Sequence, residues 1–418
     1  MALSLASLLQ ERLSPQALDV LQRAGQVAAQ LGYRAYLVGG AVRDVLLGVP
    51  TLDLDLTVEG DGPRLADALA RALGGRVSAH SQFGTAQARM GALVVDVATA
   101  RRERYLKPGA LPTVAAGTLA DDLFRRDFTV NAMAVALSAD RWGELIDPYD
   151  GNQDRESRQL RVLHGKSFQD DPTRMLRALR YGCRLGFSLE PGTESLLKHD
   201  AVFLEVVSGT RRWKELQRLL EEAEPEAALI WAQELGLLTH VHHALAADEW
   251  LASVFARARR ATETLPVSPT LYLCLLAFRT SCAERSGLIS DFQLPAAKAR
   301  ALQHLGRLQK LFPQLAADHL RPSQIVMLLE GLSPQAIHAC SLAAEAVTLG
   351  ERLHLYLERW RQMKPHLTGS DLISLGVPKG PTIRKYLGDL RTARLDGVSI
   401  SKQQEILLVR RWLTQGDT

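Results

Sequence analysis

Residues 37–62 restrict the fold more than any other part of the chain. They read LVGGAVRDVLLGVPTLDLDLTVEGDG. A hydrophobic run ends at Gly39 and Gly40, and two adjacent glycines allow a tight turn that brings backbone N–H groups close to a phosphate. A short helix is predicted next, with Arg43 near its start, where anions are favoured, and Gly48 at its end. The segment therefore predicts a strand, a turn and an anion-binding helix start.

Two aspartates, Asp53 and Asp55, follow in the alternating sequence LDLDL. On a β-strand this alternation places both carboxylates on one face and the leucines on the other. Adjacent carboxylates repel each other unless a cation lies between them, and oxygen ligands suit Mg²⁺. The ordinary alternative is an exposed strand whose aspartates are simply solvated. Asp96, in VVDV, is a candidate third carboxylate if its strand lies alongside.

The order of these features resembles the signature of the nucleotidyltransferases that share their catalytic fold with DNA polymerase beta. More narrowly, it resembles the class II branch, which contains the bacterial tRNA CCA-end nucleotidyltransferases and the poly(A) polymerases. The sequence RRDFTVNAM at residues 125–133 matches a second motif of this family. A third motif is matched through Asp147, Gly151 and Asp154.

The resemblance implies roles for these motifs in binding a nucleotide. In the second motif, Arg125 and Arg126 are expected to hold a triphosphate, and Asp127 or Asn131 to meet a ribose hydroxyl. The residues expected to bind the triphosphate are Gly39, Gly40, Arg43 and Arg126.

Residues 170–174, DDPTR, open another predicted helix, with Asp171 as its cap and Pro172 in its first turn. Asp171 and Arg174 are three residues apart, so a local ion pair is one interpretation. The alternative is base recognition. Cytosine and adenine both present an amino donor beside a ring-nitrogen acceptor, which a fixed carboxylate and a fixed guanidinium can pair, whereas uracil and guanine present the reverse. The segment resembles the family's fourth motif, Glu-Asp-x-x-Arg, with Asp170 in place of the glutamate.

Residues 101–114, RRERYLKPGALPTV, are predicted to form a basic, mobile loop because Pro108, Gly109 and Pro112 interrupt regular structure. A solvated connection and a functional role are both compatible with this pattern. The resemblance implies that a loop at this place helps the pocket readjust from C to A. It also implies that enzymes adding only CC are typically shortened here.

Helix and strand patterns alternate up to about residue 145, and only helical patterns are predicted beyond about residue 155. The predicted class is α+β, a small polymerase-beta-like sheet domain followed by an all-helical remainder. The resemblance divides the chain of 418 residues into four parts. They are a catalytic head (1–150), a helical neck with the nucleotide-selecting motif (151–235), a helical body (236–345) and a helical tail that binds tRNA (346–418).

Composition sets further expectations. The chain has no long uncharged apolar run and no secretory leader pattern at its start, so no membrane association is expected. Four widely spaced cysteines without metal-ligand spacing indicate a reducing compartment, and a cytoplasmic monomer is predicted. The sequence pI of 8.9 is compatible with a nucleic-acid partner.

The implied reaction is the attack of the tRNA 3′ hydroxyl on the α-phosphate of CTP or ATP, with Asp53 and Asp55 holding two Mg²⁺ ions. The motifs leave open whether CCA, CC or A is added. A poly(A) polymerase and a non-catalytic RNA-binding protein are the alternatives. The dipeptide His199-Asp200 weakly suggests a phosphohydrolase, although a metal site needs more ligands than this pair supplies.

Overall fold

The computed structural model describes residues 3–50, 53–80, 84–91, 93–261 and 267–415, so the first leucine of LDLDL, Leu52, lies outside the described residues. The chain divides into two compact units. Unit 1 comprises Met1–Glu215 and Glu234–Val241, and unit 2 comprises Leu216–Gln233 and His242–Thr418. The predicted division into head, neck, body and tail stays a prediction.

Unit 1 contains the strands of the described residues. They are β1 (Arg34–Val38), β2 (Asp53–Glu59), β3 (Arg76–His80), β4 (Thr85–Met90), β5 (Leu93–Thr99), β6 (Arg101–Arg104), β7 (Thr113–Ala116), β8 (Ala134–Ala136), β9 (Leu145–Ile146), β10 (Gln159–Leu160) and β11 (Ser188–Leu189). Seven of them form one sheet in the order β3-β4-β5-β2-β1-β8-β9. Strand β2 runs parallel to β5 and antiparallel to β1. The predicted sheet domain followed by a mostly helical remainder is confirmed.

The helices that begin in unit 1 are α1 (Ala6–Arg12), α2 (Pro15–Gln30), α3 (Gly40–Leu47), α4 (Gly62–Leu73), α5 (Leu119–Phe124), α6 (Gly151–Glu156), α7 (Ser167–Asp170), α8 (Thr173–Leu185), α9 (Pro191–Asp200), α10 (Gly209–Leu220) and, after α11 (Pro225–Glu234), α12 (Leu238–Val241). The predicted helix end at Gly48 is confirmed. Ser14 caps α2 and Pro15 is its first residue, while Gly48 and Gly74 end α3 and α4 in the left-handed conformation.

The two faces of the sheet are packed differently. Strand residues that alternate along the chain point to opposite faces. Leu37, Leu54 and Leu56 belong to the large core that α2 and α4 cover, whereas Tyr36 and Val38 belong to a smaller cluster beside α5. Since Asp53 and Asp55 alternate with the buried leucines, the carboxylates lie on the less covered face. The site therefore has room above the sheet.

Unit 2 contains helices in its described residues. After the part of α10 and α11 that it includes, they are α13 (Glu249–Ala261), α14 (Pro269–Leu276), α15 (Cys282–Asp291), α16 (Ala296–Lys310), α17 (Phe312–Leu315), α18 (Pro322–Leu329), α19 (Pro334–Ala343), α20 (Val347–Glu358), α21 (Gly369–Ser374), α22 (Pro381–Leu395) and α23 (Lys402–Gln415). Short 3₁₀ helices occur in unit 1 at Thr129–Asn131, Ala139–Arg141 and Ala201–Val206, and in unit 2 at Trp360–Gln362. In the described part of the chain, no helix is long and apolar enough to cross a membrane.

Two sequence-based expectations are wrong in detail. The strands β10 and β11 lie beyond residue 155, where only helices were predicted, and each has only two residues. Periodicity needs at least four residues to be visible, so elements this short leave no pattern. The predicted irregular loop at residues 101–114 instead carries paired strands at its ends, β6 and β7.

Candidate active site

The strand register brings the three candidate carboxylates together. Asp55 on β2 pairs with Asp96 on β5, and Asp53 lies two residues before Asp55 on the same face. Burial raises the pKa of Asp55 to about 6; the charges of Asp96 and Asp53 add to this rise, and the Arg126 guanidinium opposes it. Asp96 accepts a hydrogen bond from Gln87 Nε2 at 3.0 Å. The expected neighbourhood of Asp96 is thus confirmed, while its role stays a prediction.

A cavity of about 630 Å³ opens over these carboxylates. It joins the strand face to residues from the second and fourth motifs, all of which belong to unit 1. The predicted site residues that line it are Gly40, Arg43, Asp53, Asp55, Asp96, Arg126, Asp127, Asn131, Asp171 and Arg174. The remaining predicted residue, Gly39, directly precedes the first helix of the cavity wall.

Gly39 fits this place for a steric reason. Its φ of 71° is in the left-handed region, and a Cβ there would lie 2.4 Å from Arg126 Nη1. Arg126 can therefore lie against the turn only because residue 39 has no side chain. Its other nitrogen, Nη2, donates to Asp122 Oδ2 at 2.9 Å. Asp122 thus holds the guanidinium of Arg126 at a place where it lies close to the turn.

Asp122, on α5, is a residue that the motifs did not single out. It is fully buried and accepts from Arg125 Nη2 at 2.6 Å, Arg126 Nη2 at 2.9 Å and Thr57 Oγ1 at 3.2 Å. Burial alone would raise its pKa, but the guanidiniums of Arg126 and Arg125 outweigh burial and the pKa is lowered. Asp122 therefore stays ionised and holds both arginines. Its spacing of three and four residues from them on a helix was the available signal.

A second buried carboxylate orients Arg43. Asp127 accepts from Asn131 Nδ2 at 2.9 Å, and Asn131 Oδ1 accepts from Arg43 Nη1 at 2.6 Å. Arg177 Nη2 lies 2.5 Å from the other oxygen of Asp127. Burial raises the pKa of Asp127, but the charge of Arg177 and the hydrogen bond from Asn131, with smaller contributions from neighbouring groups, together outweigh burial, and the net shift is downward. Asp127 and Asn131, predicted to meet a ribose, also position Arg43 and Arg177, the second of which the sequence reasoning missed.

The base-reading candidates have different partners. Asp171 Oδ1 accepts from Thr173 N at 3.1 Å and from Arg211 Nη2 at 2.8 Å. The predicted cap is wrong by one residue, because α8 begins at Thr173 and Pro172 occupies its N-cap position. Arg174 is buried; its Nη1 donates to Ser167 Oγ at 2.7 Å and its Nη2 to the carbonyl of Arg125 at 2.6 Å. The local ion pair between Asp171 and Arg174 is therefore replaced by separate anchors, and both groups line the cavity.

The hairpin of β6 and β7 forms another part of the cavity wall. Glu103 is nearly buried and accepts from Tyr105 Oη at 2.7 Å, while Arg101 lies 2.8 Å and Arg125 3.4 Å from its other oxygen. Burial, helped by the charge of Glu103, raises the pKa of Tyr105. Sequence reasoning missed Glu103 because its partner Arg125 lies 22 residues away.

The third motif has a structural role in this site. Asp147 accepts from Gly151 N and Asn152 N, both at 2.8 Å, at the start of α6. Asp154 is buried and accepts from Thr129 Oγ1 at 2.5 Å, and this bond fixes Thr129 of the second motif. A Cβ at Gly151 would lie 2.2 Å from the carbonyl oxygen of Thr129, so the close approach requires glycine.

Within the described residues, no group of three or more His, Cys, Asp or Glu side chains is arranged to hold a metal ion. This includes His199, whose side chain is 78% exposed and contacts only the neighbouring Asp200 among its described ion-pair partners. The phosphohydrolase alternative therefore gains no support. Asp53 and Asp55 remain a carboxylate pair with the oxygen donors that a hard divalent cation prefers.

Family comparisons agree with this site. Residues 35–161 match the Poly A polymerase head domain. Residues 186–248 match the probable RNA and SrmB-binding site of polymerase A. A solved structure of a CCA-adding enzyme in an apo form is 29% identical, with a TM-score of 0.82 and 99% of each chain covered. Fold and site therefore define an enzyme that transfers nucleotides.

Named relatives narrow the class. An A-adding tRNA nucleotidyltransferase of Geobacter sulfurreducens is 35% identical over 94% of this chain, which spans 46% of that relative. Another, from Halalkalibacterium halodurans, is 33% identical over 98% of this chain and 96% of its own length. A CC-adding tRNA nucleotidyltransferase of Deinococcus radiodurans is 31% identical, with 90% and 89% covered. This chain belongs to the tRNA nucleotidyltransferase family.

Proposed function

We propose that this enzyme adds the terminal A to tRNA that already ends in CC. The observation that carries nucleotide transfer with base selection is the shared cavity, in which Asp171 and Arg174 lie with the carboxylate pair Asp53 and Asp55. The choice of A is supported by the A-adding relatives, which have the higher identities of the three compared. The full hairpin of β6 and β7 supports it too, because the resemblance associates a shortened segment here with CC addition.

The cofactor of this reaction is proposed to be Mg²⁺ held by Asp53 and Asp55. Their carboxylates share one strand face, and burial together with the charges of Asp96 and Asp53 raises the pKa of Asp55, so a cation between the carboxylates would relieve the repulsion. When bound, the metal supplies charge stabilisation at the phosphates and lowers the pKa of the attacking hydroxyl. Asp96 faces Asp55 in the register and is the candidate for orienting this hydroxyl or the cation.

The triphosphate is proposed to lie against the Gly39–Gly40 turn. Arg43 and Arg126 border this turn and are held by carboxyl and amide groups, so their guanidiniums are oriented before any nucleotide arrives. Oriented cations stabilise developing phosphate charge without reorganising during the reaction. The start of α3 adds backbone N–H groups, which favour an anion.

The base is proposed to pair with Asp171 and Arg174. The described hydrogen bonds to the Asp171 carboxylate all reach Oδ1, so Oδ2 serves as the acceptor for the amino group of adenine. Arg174, fixed by Ser167 and the carbonyl of Arg125, donates to the ring nitrogen. A guanine or uracil would place a carbonyl against the carboxylate and leave buried groups unpaired.

The test uses tRNA lacking its end, tRNA ending in C and tRNA ending in CC, each with CTP and ATP singly and together. An A-adding enzyme extends only the CC-ended tRNA, by one residue and with ATP. Addition of CTP to the shorter substrates would contradict the proposal and indicate CC or CCA addition. A ladder of several A residues would indicate a poly(A) polymerase, and the absence of turnover with bound tRNA a non-catalytic protein. Chelation with EDTA, followed by Mg²⁺ addition, tests the cofactor.

A further inference from the structure

The face of the sheet that carries the carboxylates extends as far as the edge strand β3. Residues that pair directly across neighbouring strands point to the same face. Asp53 on β2 pairs with Val94 on β5, and Val94 pairs with Arg89 on β4. Arg89 in turn pairs with Arg76 on β3. Since neighbouring strands are about 4.8 Å apart, the backbone of Arg89 lies about 10 Å and that of Arg76 about 14 Å from β2.

Burial agrees with this assignment of faces. In the adjacent row across the same strands, Leu54 pairs with Val95, and Val95 pairs with Ala88. These three side chains are buried in the core that α2 and α4 cover. Arg76 and Arg89, by contrast, are exposed. The two arginines therefore share the open face of the sheet with the carboxylates.

Arg76 and Arg89 form a like-charged pair at this end of the sheet. Directly opposed side chains on antiparallel strands have Cβ atoms about 5 Å apart, and like charges at this distance repel each other. Within the described residues, neither guanidinium forms an ion pair or a hydrogen bond that offsets the repulsion. A charge on an edge strand prevents edge-to-edge aggregation, which would account for Arg76. It does not account for Arg89, because β4 has a neighbouring strand on each side.

The place of this pair relative to the reaction indicates what it binds. The triphosphate is proposed to lie at the Gly39–Gly40 turn, which follows β1, and β1 adjoins β2 on the side remote from β5. In phosphoryl transfer the attacking and leaving oxygens are roughly in line. With the leaving pyrophosphate toward β1, the attacking hydroxyl approaches from the side of β5, β4 and β3. The RNA strand that ends in this hydroxyl is therefore expected on the face that carries the two arginines.

We propose that Arg89 and Arg76 bind phosphates of the unpaired 3′ end of tRNA, just before the nucleotide whose hydroxyl attacks. The proposal rests on the positions proposed above for the metal and the triphosphate. Arg89, the nearer arginine, binds the last internucleotide phosphate, and Arg76 binds the phosphate before it. A guanidinium can donate two parallel N–H bonds to a phosphate, so each contact fixes direction as well as position. The anionic strand supplies the countercharge for the pair without reading any base.

The first experiment uses the double variant Arg76→Gln/Arg89→Gln with tRNA ending in CC. Kd for tRNA, measured by filter binding, and KM for tRNA in A addition are both expected to rise about tenfold, because two charge-assisted phosphate contacts are lost. The slope of log Kd against log salt concentration should decrease by about 1.4, since each phosphate contact to a single strand contributes about 0.7. KM for ATP should stay within about twofold of wild type, because the nucleotide site is unaltered.

The matched control is Arg64→Gln/Arg71→Gln, which removes the same charge from the opposite face of the same sheet. Both side chains are exposed on α4, the helix that covers the core face. This control should leave Kd and the salt slope unchanged. The test variant should melt no lower than wild type, because a like-charge repulsion is removed. Wild-type Kd and salt slope in the folded test variant, or an equal loss in the control, would overturn the inference.

Neutral phosphates locate the contact on the tRNA. A methylphosphonate replaces either the last internucleotide phosphate or the one before it in tRNA ending in CC. Each replacement should weaken binding to wild type about threefold. The first should not weaken binding to Arg89→Gln further, and the second should not weaken binding to Arg76→Gln further, because the contact is already absent. Additive losses in both combinations would mean that the arginines do not bind these phosphates, contrary to the proposal.

Failure of the proposed function would give a different result. If wild type extends a shorter tRNA or uses CTP, the addition of a terminal A is rejected, while the Kd values and salt slopes still decide on the arginines. If wild type adds A and the double variant binds and extends tRNA as wild type does, only this inference is rejected.

Discussion

Unit 1 and unit 2 each contain fully buried carboxylates, but these groups bind different partners. In unit 1, Asp122 accepts hydrogen bonds from Arg125 and Arg126, both of which border the cavity. In unit 2, Glu405 accepts hydrogen bonds from two backbone N–H groups: that of His366, which is shared between both carboxylate oxygens, and that of Leu367. Both arrangements compensate the desolvation of a charge, as a buried carboxylate requires.

The different partners of Asp122 and Glu405 indicate different roles. A carboxylate that binds arginines at a cavity sets the direction of cations that can meet an anionic ligand. A carboxylate that binds backbone N–H groups fixes the course of the chain and presents nothing to a ligand. We therefore expect substitutions in the first group to change nucleotide kinetics and substitutions in the second to change folding stability.

The largest effect is expected at the strand face of unit 1 that carries Asp55, because this carboxylate is proposed to bind the metal. Asp55→Asn should lower kcat for A addition about 10³-fold or more, because a lost ligand removes several kcal/mol of charge stabilisation. Binding of tRNA, measured by filter binding, should persist. Turnover close to wild type would contradict the metal assignment to Asp55.

In unit 2, Glu405→Gln should lower the free energy of unfolding and leave nucleotide selection unchanged. The charged acceptor of two backbone N–H groups becomes a weaker neutral one, with an expected loss of about 3 kcal/mol in the free energy of unfolding. Urea denaturation measures this, and Glu351→Gln, an exposed position on α20, is the control. A changed ratio of ATP to CTP use in the folded variant would break the distinction between the two units.

A buried cation of unit 1 provides the next comparison. Arg174→Ala, and similarly Asp171→Ala, should lower the rate with ATP by roughly one to two powers of ten and relax discrimination against UTP and GTP. Competition among the four nucleotides on a tRNA substrate measures the preference. Wild-type preference with only a lower melting temperature would place these two residues among the structural groups, and the base would be read elsewhere.

Asp122→Asn should have a smaller effect, because it weakens but does not remove the groups that meet the nucleotide. Loss of the negative charge that fixes Arg125 and Arg126 is expected to raise KM for ATP about tenfold and to leave KM for tRNA unchanged. Asp67→Asn, at an exposed position on α4, serves as the control. Unchanged nucleotide kinetics together with a large loss of stability would show that Asp122, like Glu405, has only a structural role.

The smallest effect concerns folding of the protein in EDTA. The pKa of Asp55 is raised to about 6 from 3.8, mainly by burial, so between these values the native state binds more protons than the unfolded state. Stability should therefore decrease as pH rises from about 4 to 6, and Asp55→Asn should melt a few degrees higher than wild type at pH 7 but not at pH 4. Equal melting temperatures at both pH values would show that Asp55 is not desolvated.

Much of this molecule could be predicted because the informative signals are local. Alternation predicted β2, Gly48 predicted the end of α3, and the ordered motifs predicted the family. The pairing of Asp55 with Asp96 depends on strand register, which no local pattern specifies. The partners Arg211 and Asp171 are 40 residues apart, and their contact arises only from the packing of the helices. Breaker residues at the hairpin tip concealed the strands on either side.

The attachment of the hairpin tip has a consequence for how its sequence can vary. Gly109 N donates to the carbonyl of Gln169, and the carbonyl of Gly109 accepts from Arg211 Nη1, so both bonds use backbone atoms of Gly109. The neighbouring side chains of Leu106, Lys107 and Pro108 are exposed. Related genes can therefore diverge freely at these three positions while the attachment is kept, provided that residue 109 remains glycine. In a saturation-mutagenesis library of residues 106–109 selected for activity, nearly every amino acid should be accepted at the first three positions. Substitutions of Gly109 should be lost.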